Sequence, residues 1–202
     1  MVMSGTVTPE EALKMLQEGN RRFVNGVSRH PNSDENYRKE IVSGQHPFAT
    51  VLTCSDSRVP PELIFDRGFG DIFVIRVAGN ILSEDVMASI LYAVNHIKCP
   101  LVVVLGHESC GAVTEALKMD ENDTSLEDEV AGFLRKMQHN MPRTLSSRNS
   151  IDSPVNDGAR ENVLTVADML MRHRDVAPVV GNGGCRIASA FYSLHSGEVE
   201  WL

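Results

Sequence analysis

Apolar residues recur along this chain in two rhythms. Near the start, Leu13, Leu16, Asn20 and Phe23 fall on one stripe at helical spacing. Thr8-Pro9-Glu10-Glu11 stands just before it. Thr8 can cap a helix, Pro9 suits the first helical position, and Glu11 can reach back to complete a capping box. Gly26 is a plausible stop. Residues 27–47 are polar, and a second short helix is expected over 36–42.

The texture then changes. Residues 49–53, 72–77 and 101–105 are short apolar runs rich in β-branched side chains, as parallel strands buried on both faces read. Between the last two, Val86, Met87, Ile90, Leu91, Val94 and Ile97 share a helical face over 83–98. Strand, helix, strand at this spacing is a βαβ unit with a right-handed connection. Further helices are expected over 110–118, 125–141 and 158–174, and a surface loop over 142–154. The tail, 186–202, is strand-like, and Ser196-Gly197 can turn a closing hairpin. With no repeat and no dividing linker, the expectation is one α/β domain over 1–202. It comprises an N-terminal helical arm (1–47) and a core (48–202) with a mostly parallel central sheet flanked by helices and a C-terminal β-hairpin.

Charge narrows the function classes. The formal net charge of −8 argues against nucleic acid and anionic membrane surfaces as partners. No apolar run approaches a membrane span, and the first residues lack the marks of a secretory signal. Four cysteines, Cys54, Cys99, Cys110 and Cys185, are few for a disulfide-held secreted chain. They read better as thiols in a reducing compartment, so a cytoplasmic protein is expected.

Two clusters carry the chemistry, each directly after an expected strand: Cys54-Ser55-Asp56-Ser57-Arg58 and Gly106-His107-Glu108-Ser109-Cys110. In open α/β sheets functional groups gather beyond the carboxyl ends of strands. If the two strands are neighbours, Cys54, His107 and Cys110 converge. Two thiolates and an imidazole suit zinc, and three protein ligands leave a fourth position open, as in catalytic sites. Asp56 and Arg58 lie two apart, so they can face the same side and pair bidentately. Asp56 is then either a fourth zinc ligand or an acceptor beside a zinc-bound water, held off the metal by Arg58. Cys99 and Cys185 read as structural thiols, and His30, His139, His173 and His195 as solvated or satisfied residues.

These stretches resemble the β-class carbonic anhydrases. Residues 54–62 (CSDSRVPPE) and 106–113 (GHESCGAV) match the two family signatures, and 76–80 (RVAGN) matches a third element. Residues 20–23 resemble the family's N-terminal helix and 197–199 its closing hairpin. The resemblance implies a zinc hydrolyase that interconverts carbon dioxide and bicarbonate by attack of zinc-bound hydroxide, with one zinc per subunit. It carries Cys54, His107 and Cys110 over as zinc ligands and Asp56 with Arg58 as the catalytic dyad. Gln45 corresponds to the amide that donates to a substrate oxygen. Phe73 and Tyr92 correspond to aromatics lining the cleft of a neighbouring subunit, and Val77 completes the apolar wall. A homodimer, or a dimer of dimers, is implied. Some members have a Trp three residues before the first cysteine, part of an inhibitory bicarbonate site. Val51 stands there and the only Trp is Trp201, so that site does not carry over. His96 is one titratable candidate for moving the released proton. Two rival readings are a zinc hydrolase of carbon disulfide or carbonyl sulfide and a zinc protein that has lost catalysis. The intact Asp56, Arg58 and Gln45 argue against the second.

Overall fold

The computed structural model describes residues 7–120, 128–149 and 153–202. The chain enters through helix α1 (Pro9–Val24), started by the expected capping box. Thr8 Oγ1 accepts from Glu11 N at 3.2 Å, and Glu11 Oε2 accepts from Thr8 N at 2.9 Å. Ala12 and Leu16 on its inner face are fully buried. Asn20 continues the apolar stripe because its polar atoms are all used. Its Nδ2 donates to the carbonyls of Ile64 and Gly197, and its Oδ1 accepts from Val199 N. One side chain thus joins α1 to the far end of the chain. Helix α2 (Glu35–Glu40) and a 3₁₀ turn (Ile41–Ser43) follow where a short helix was expected.

The sheet has five strands: β1 (Ala49–Thr53), β2 (Ile72–Arg76), β3 (Leu101–His107), β4 (Arg186–Tyr192) and β5 (Val199–Trp201). Their order is β2-β1-β3-β4-β5, with the first four parallel and β5 antiparallel to β4. The mostly parallel sheet and closing hairpin are those read from the apolar runs.

The lack of alternation in β3 has a direct cause: both faces are covered. Successive side chains point to opposite faces. Leu101, Val103 and Leu105 pack with Val51, Ala12, Leu16, Ile64 and Phe65. Val102 and Val104 pack with Leu52, Val86, Ile90, Val163, Val166 and Leu170 on the other side. That second layer is built by α4 (Glu84–Leu91) and α8 (Pro154–Arg172). Gly106 lets α8 come close, since a Cβ there would lie 2.6 Å from Val163 Cγ2.

Three local outcomes differ from the sequence pattern. The helix expected over 83–98 is α-helical only to Leu91 and widens into a π turn at Tyr92–His96, closed by Ile97 N donating to Tyr92 O. The helix expected over 125–141 is α6 (Glu129–Asn140), and residues 125–127 of that expectation lie outside the described residues. The expected loop over 142–154 instead begins with helix α7 (Pro142–Ser147), and residues 150–152 of that expectation lie outside the described residues. Its free N–H groups are met by a carboxylate distant in sequence. Glu161 on α8 accepts from Arg143 N at 3.0 Å and from Thr144 N and Oγ1 at 2.8 Å. Two short helices carry too few residues to show a period: α3 (Pro61–Ile64) and α9 (Ala177–Gly181). Helix α5 (Gly111–Lys118) starts immediately after Cys110. No helix among the described residues is long and apolar enough to cross a membrane.

Candidate metal centre

From β1 the chain runs to β2 on one side and then crosses back to β3 on the other. The carboxyl ends of β1 and β3 therefore flank the point where strand order reverses, which opens a crevice. Cys54 follows β1, His107 ends β3 and Cys110 caps α5. Their ligand atoms lie within 4.8 Å of one another, and all three residues are buried.

The donors are prepared for a cation. His107 Nδ1 lies 2.8 Å from the Glu108 carbonyl, the geometry of an N–H donor, which leaves Nε2 with its lone pair. That Nε2 is buried and has no hydrogen-bond partner. An orphaned buried acceptor is costly unless something satisfies it. The adjacent Cys110 thiol, His107 and the Gly79 N–H favour the Cys54 thiolate against the opposing effect of burial. The nearness of Cys54 and burial push Cys110 upward. Binding a metal ion at these sulfurs releases the protons they hold.

Asp56 stands beside these donors, its Oδ2 4.0 Å from His107 Nε2. Arg58 occupies both its oxygens: Arg58 N and Nε donate to Oδ1 at 2.9 and 3.0 Å, and Nη2 donates to Oδ2 at 2.7 Å. Those bonds hold the Asp56 carboxyl well below the usual carboxylate range. The Asp56 carboxylate is thus turned toward Arg58.

Supports that the sequence reading did not assign surround the site. Arg76 donates to the carbonyls of Cys54 and Asp56, at 3.2 and 2.7 Å, and pins the loop after β1. Ser109 sits in the left-handed region, with φ 54°, and its N–H donates to Asn156 Oδ1 at 3.0 Å. Glu108 accepts from Ser193 Oγ and His195 N, both at 3.0 Å. Arg76 was visible in a quoted motif. Asn156 had no signal, because its partner is set by the packing of α8.

The remaining expected site residues divide. Val77 packs against the cluster that holds Cys54 and Cys110. Phe73 and Tyr92 meet each other instead, with ring centroids 6.3 Å apart, and Tyr92 stacks on His96 at 5.6 Å. Gln45 is exposed in the segment before β1. No hydrogen bond or ring contact among the described residues joins Gln45, Phe73 or Tyr92 to the three donors.

The family model for carbonic anhydrase matches residues 49–199. Carbonic anhydrase 2 of Mycobacterium tuberculosis is 39% identical over 192 residues, covering 94% of this chain and 91% of that protein. The carbonic anhydrase of Mycolicibacterium smegmatis is 40% identical over 195 residues, covering 95% and 92%. Among solved structures, the β-carbonic anhydrase CafA of Aspergillus fumigatus superposes with a TM-score of 0.74 at 26% identity, covering 94% of this chain and 90% of that one. A carbonic anhydrase match over three quarters of the chain, with β-class architecture along nearly all of it, makes this chain a member of the β-class carbonic anhydrase family.

Proposed function

We propose that this protein catalyses the reversible hydration of carbon dioxide to bicarbonate and a proton, at a zinc ion held by Cys54, His107 and Cys110. The observation that carries the reading is the buried, unpartnered His107 Nε2 grouped with two thiols beside an ionised Asp56. Two sulfurs and one nitrogen suit zinc among common divalent metals. Zinc, when bound there, supplies the Lewis acidity that makes water nucleophilic near neutral pH, chemistry for which carbonic anhydrases are the standard example.

The chain's own residues do the rest. Asp56, kept ionised and fixed by Arg58, accepts the hydrogen bond of the attacking oxygen and so turns its lone pair toward the carbon. Held in place by Arg58, Asp56 serves as that acceptor rather than as a fourth ligand. Val77 gives the nonpolar substrate an apolar wall. Gln45 donates to the substrate oxygen that gains negative charge.

Phe73 and Tyr92 line the cleft of a neighbouring copy, which makes a homodimer the working unit and a dimer of dimers a natural extension. Tyr92 is half-exposed in the single chain, and Phe73 lies on β2, the outermost strand on that side. One domain spans the chain, since α1 shares a core with β1, β3 and β4. Four free cysteines, two of them metal ligands, favour a cytoplasmic setting.

Stopped-flow hydration assays test the reading. Asp56→Asn is expected to keep stoichiometric zinc and lose about 10²- to 10⁴-fold in turnover. Full activity in that variant would overturn the role of Asp56.

A further inference from the structure

Cys54 is touched by more than the other two donors. The backbone N–H of Gly79 donates to its sulfur at 3.2 Å. Gly79 holds a left-handed conformation, φ 59° and ψ 18°. A Cβ at that position would lie 2.0 Å from Cε of the fully buried Met137. Glycine is therefore favoured, and its intrinsic freedom must be restrained for the N–H to keep its aim.

The restraint is visible. Gly79 O accepts from Asn162 Nδ2 at 2.9 Å, and Asn162 is 1% exposed. Asn162 Oδ1 in turn accepts from Asn140 Nδ2 at 2.8 Å. The two bonds together fix which way the Asn162 amide faces, since a flip would set oxygen against oxygen at Gly79 and nitrogen against nitrogen at Asn140. Asn140 O accepts from Thr165 Oγ1 at 2.8 Å. A buried polar chain thus runs from α8 and α6 to a glycine whose N–H ends on a thiolate.

We propose that Asn162 is a positioning residue for the Cys54 sulfur, acting through Gly79. It holds the Gly79 N–H on the thiolate, draws charge from that sulfur, and so adjusts how strongly the sulfur donates to the bound metal. The inference rests on the reading of Cys54 as a zinc ligand. Partners of ligating atoms set both the orientation and the basicity of those atoms. With two thiolates on the metal, an N–H on one of them limits the charge they deliver and preserves Lewis acidity.

The test uses the full-length protein loaded with zinc or with cobalt(II). Asn162→Asp keeps the shape and the acceptor for Asn140 but removes the donor to Gly79. It is expected to bind zinc at full stoichiometry, while loss of the Cys54 sulfur's positioning outweighs its stronger donation and lowers affinity about 10- to 100-fold in chelator competition. In the cobalt protein its sulfur-to-metal charge-transfer band moves to lower energy, because the sulfur is richer in electrons. Thr165→Val deletes a bond of the same buried chain without touching Gly79. A role confined to holding helices together moves both variants alike and overturns the proposal. So does an unshifted band with native zinc affinity in a folded Asn162→Asp protein. If Asn162→Asp does not fold, Asn140→Asp gives the same reading one bond further out. Its carboxylate repels Asn162 Oδ1 and turns the amide, so a smaller shift in the same direction is expected and an unchanged band overturns the proposal. Failure of the zinc reading itself looks different: Cys54→Ala would then keep stoichiometric metal.

Discussion

Two pairs of cysteines sit at opposite ends of the same sheet. Cys54 and Cys110 lie beyond the carboxyl ends of β1 and β3, and Cys99 and Cys185 lie just before β3 and β4. All four are deeply buried, at 5%, 1%, 1% and 2% exposure. Their chemistry nevertheless diverges. Burial pushes Cys185 up to about 12 and raises Cys99 as well, while Cys54 falls to about 4. Burial is therefore not what separates a reactive thiol from an inert one. The difference lies in the neighbours: the Cys54 sulfur accepts from the Gly79 N–H beside Cys110 and an unpartnered imidazole nitrogen, whereas Cys99 and Cys185 each donate to a nearby backbone carbonyl.

The sharpest way to break this contrast is mutation of each pair. Cys54→Ala is expected to lose stoichiometric zinc and to lower carbon dioxide hydration on the order of 1000-fold or more. Cys185→Ala is expected to keep zinc and activity and to cost about 1 kcal/mol of stability, the scale for a small core deletion. Metal analysis with denaturant titration reads both, and zinc loss in the second variant would erase the distinction.

A smaller effect should appear in thiol labelling. In protein stripped of metal, iodoacetamide is expected to modify Cys54 before Cys99 or Cys185, because its neighbours favour the thiolate while burial disfavours it in the other two. Zinc loading should protect it. Peptide mapping that found Cys185 first would contradict the argument.

The least dramatic test extends the contrast to carboxylates. Burial opposes ionisation of Glu161, yet the bonds from Thr144 and Arg143 outweigh it and hold the carboxyl below its ordinary value. A lowered folded value contributes stability that is complete above the unfolded value and is lost as pH falls through the folded one. Melting temperature should therefore drop as pH falls below about 4. Glu161→Gln should lower Tm at neutral pH and flatten that acid limb, with about 2–4 °C for each 1 kcal/mol lost. An acid limb of unchanged steepness would remove Glu161 from the account.

What the sequence disclosed was what local physics determines. Thr8, Pro9 and Glu11 start α1 within four residues, and the double-sided burial of β3 is written in its unbroken apolar run. The two cysteine-bearing clusters were legible because each follows its strand directly. Helix α7 was missed because its N-terminal partner, Glu161, comes from another helix. The π turn at Tyr92–His96 shares its apolar spacing with the helix before it, so periodicity could not set them apart. Asn156 and Asn162 were silent for the same reason as Glu161, since each matters only through the groups that α8 packs against.

The adjacency of β1 and β3 has a thermodynamic consequence. Cys54 and His107 are distant in sequence and become neighbours only once those two strands have paired. A metal held between them acts as a clasp that the unfolded chain cannot close. Its binding energy is then also energy of folding, growing with the logarithm of free metal over its dissociation constant. The persistence of the folded chain would then follow the supply of that metal.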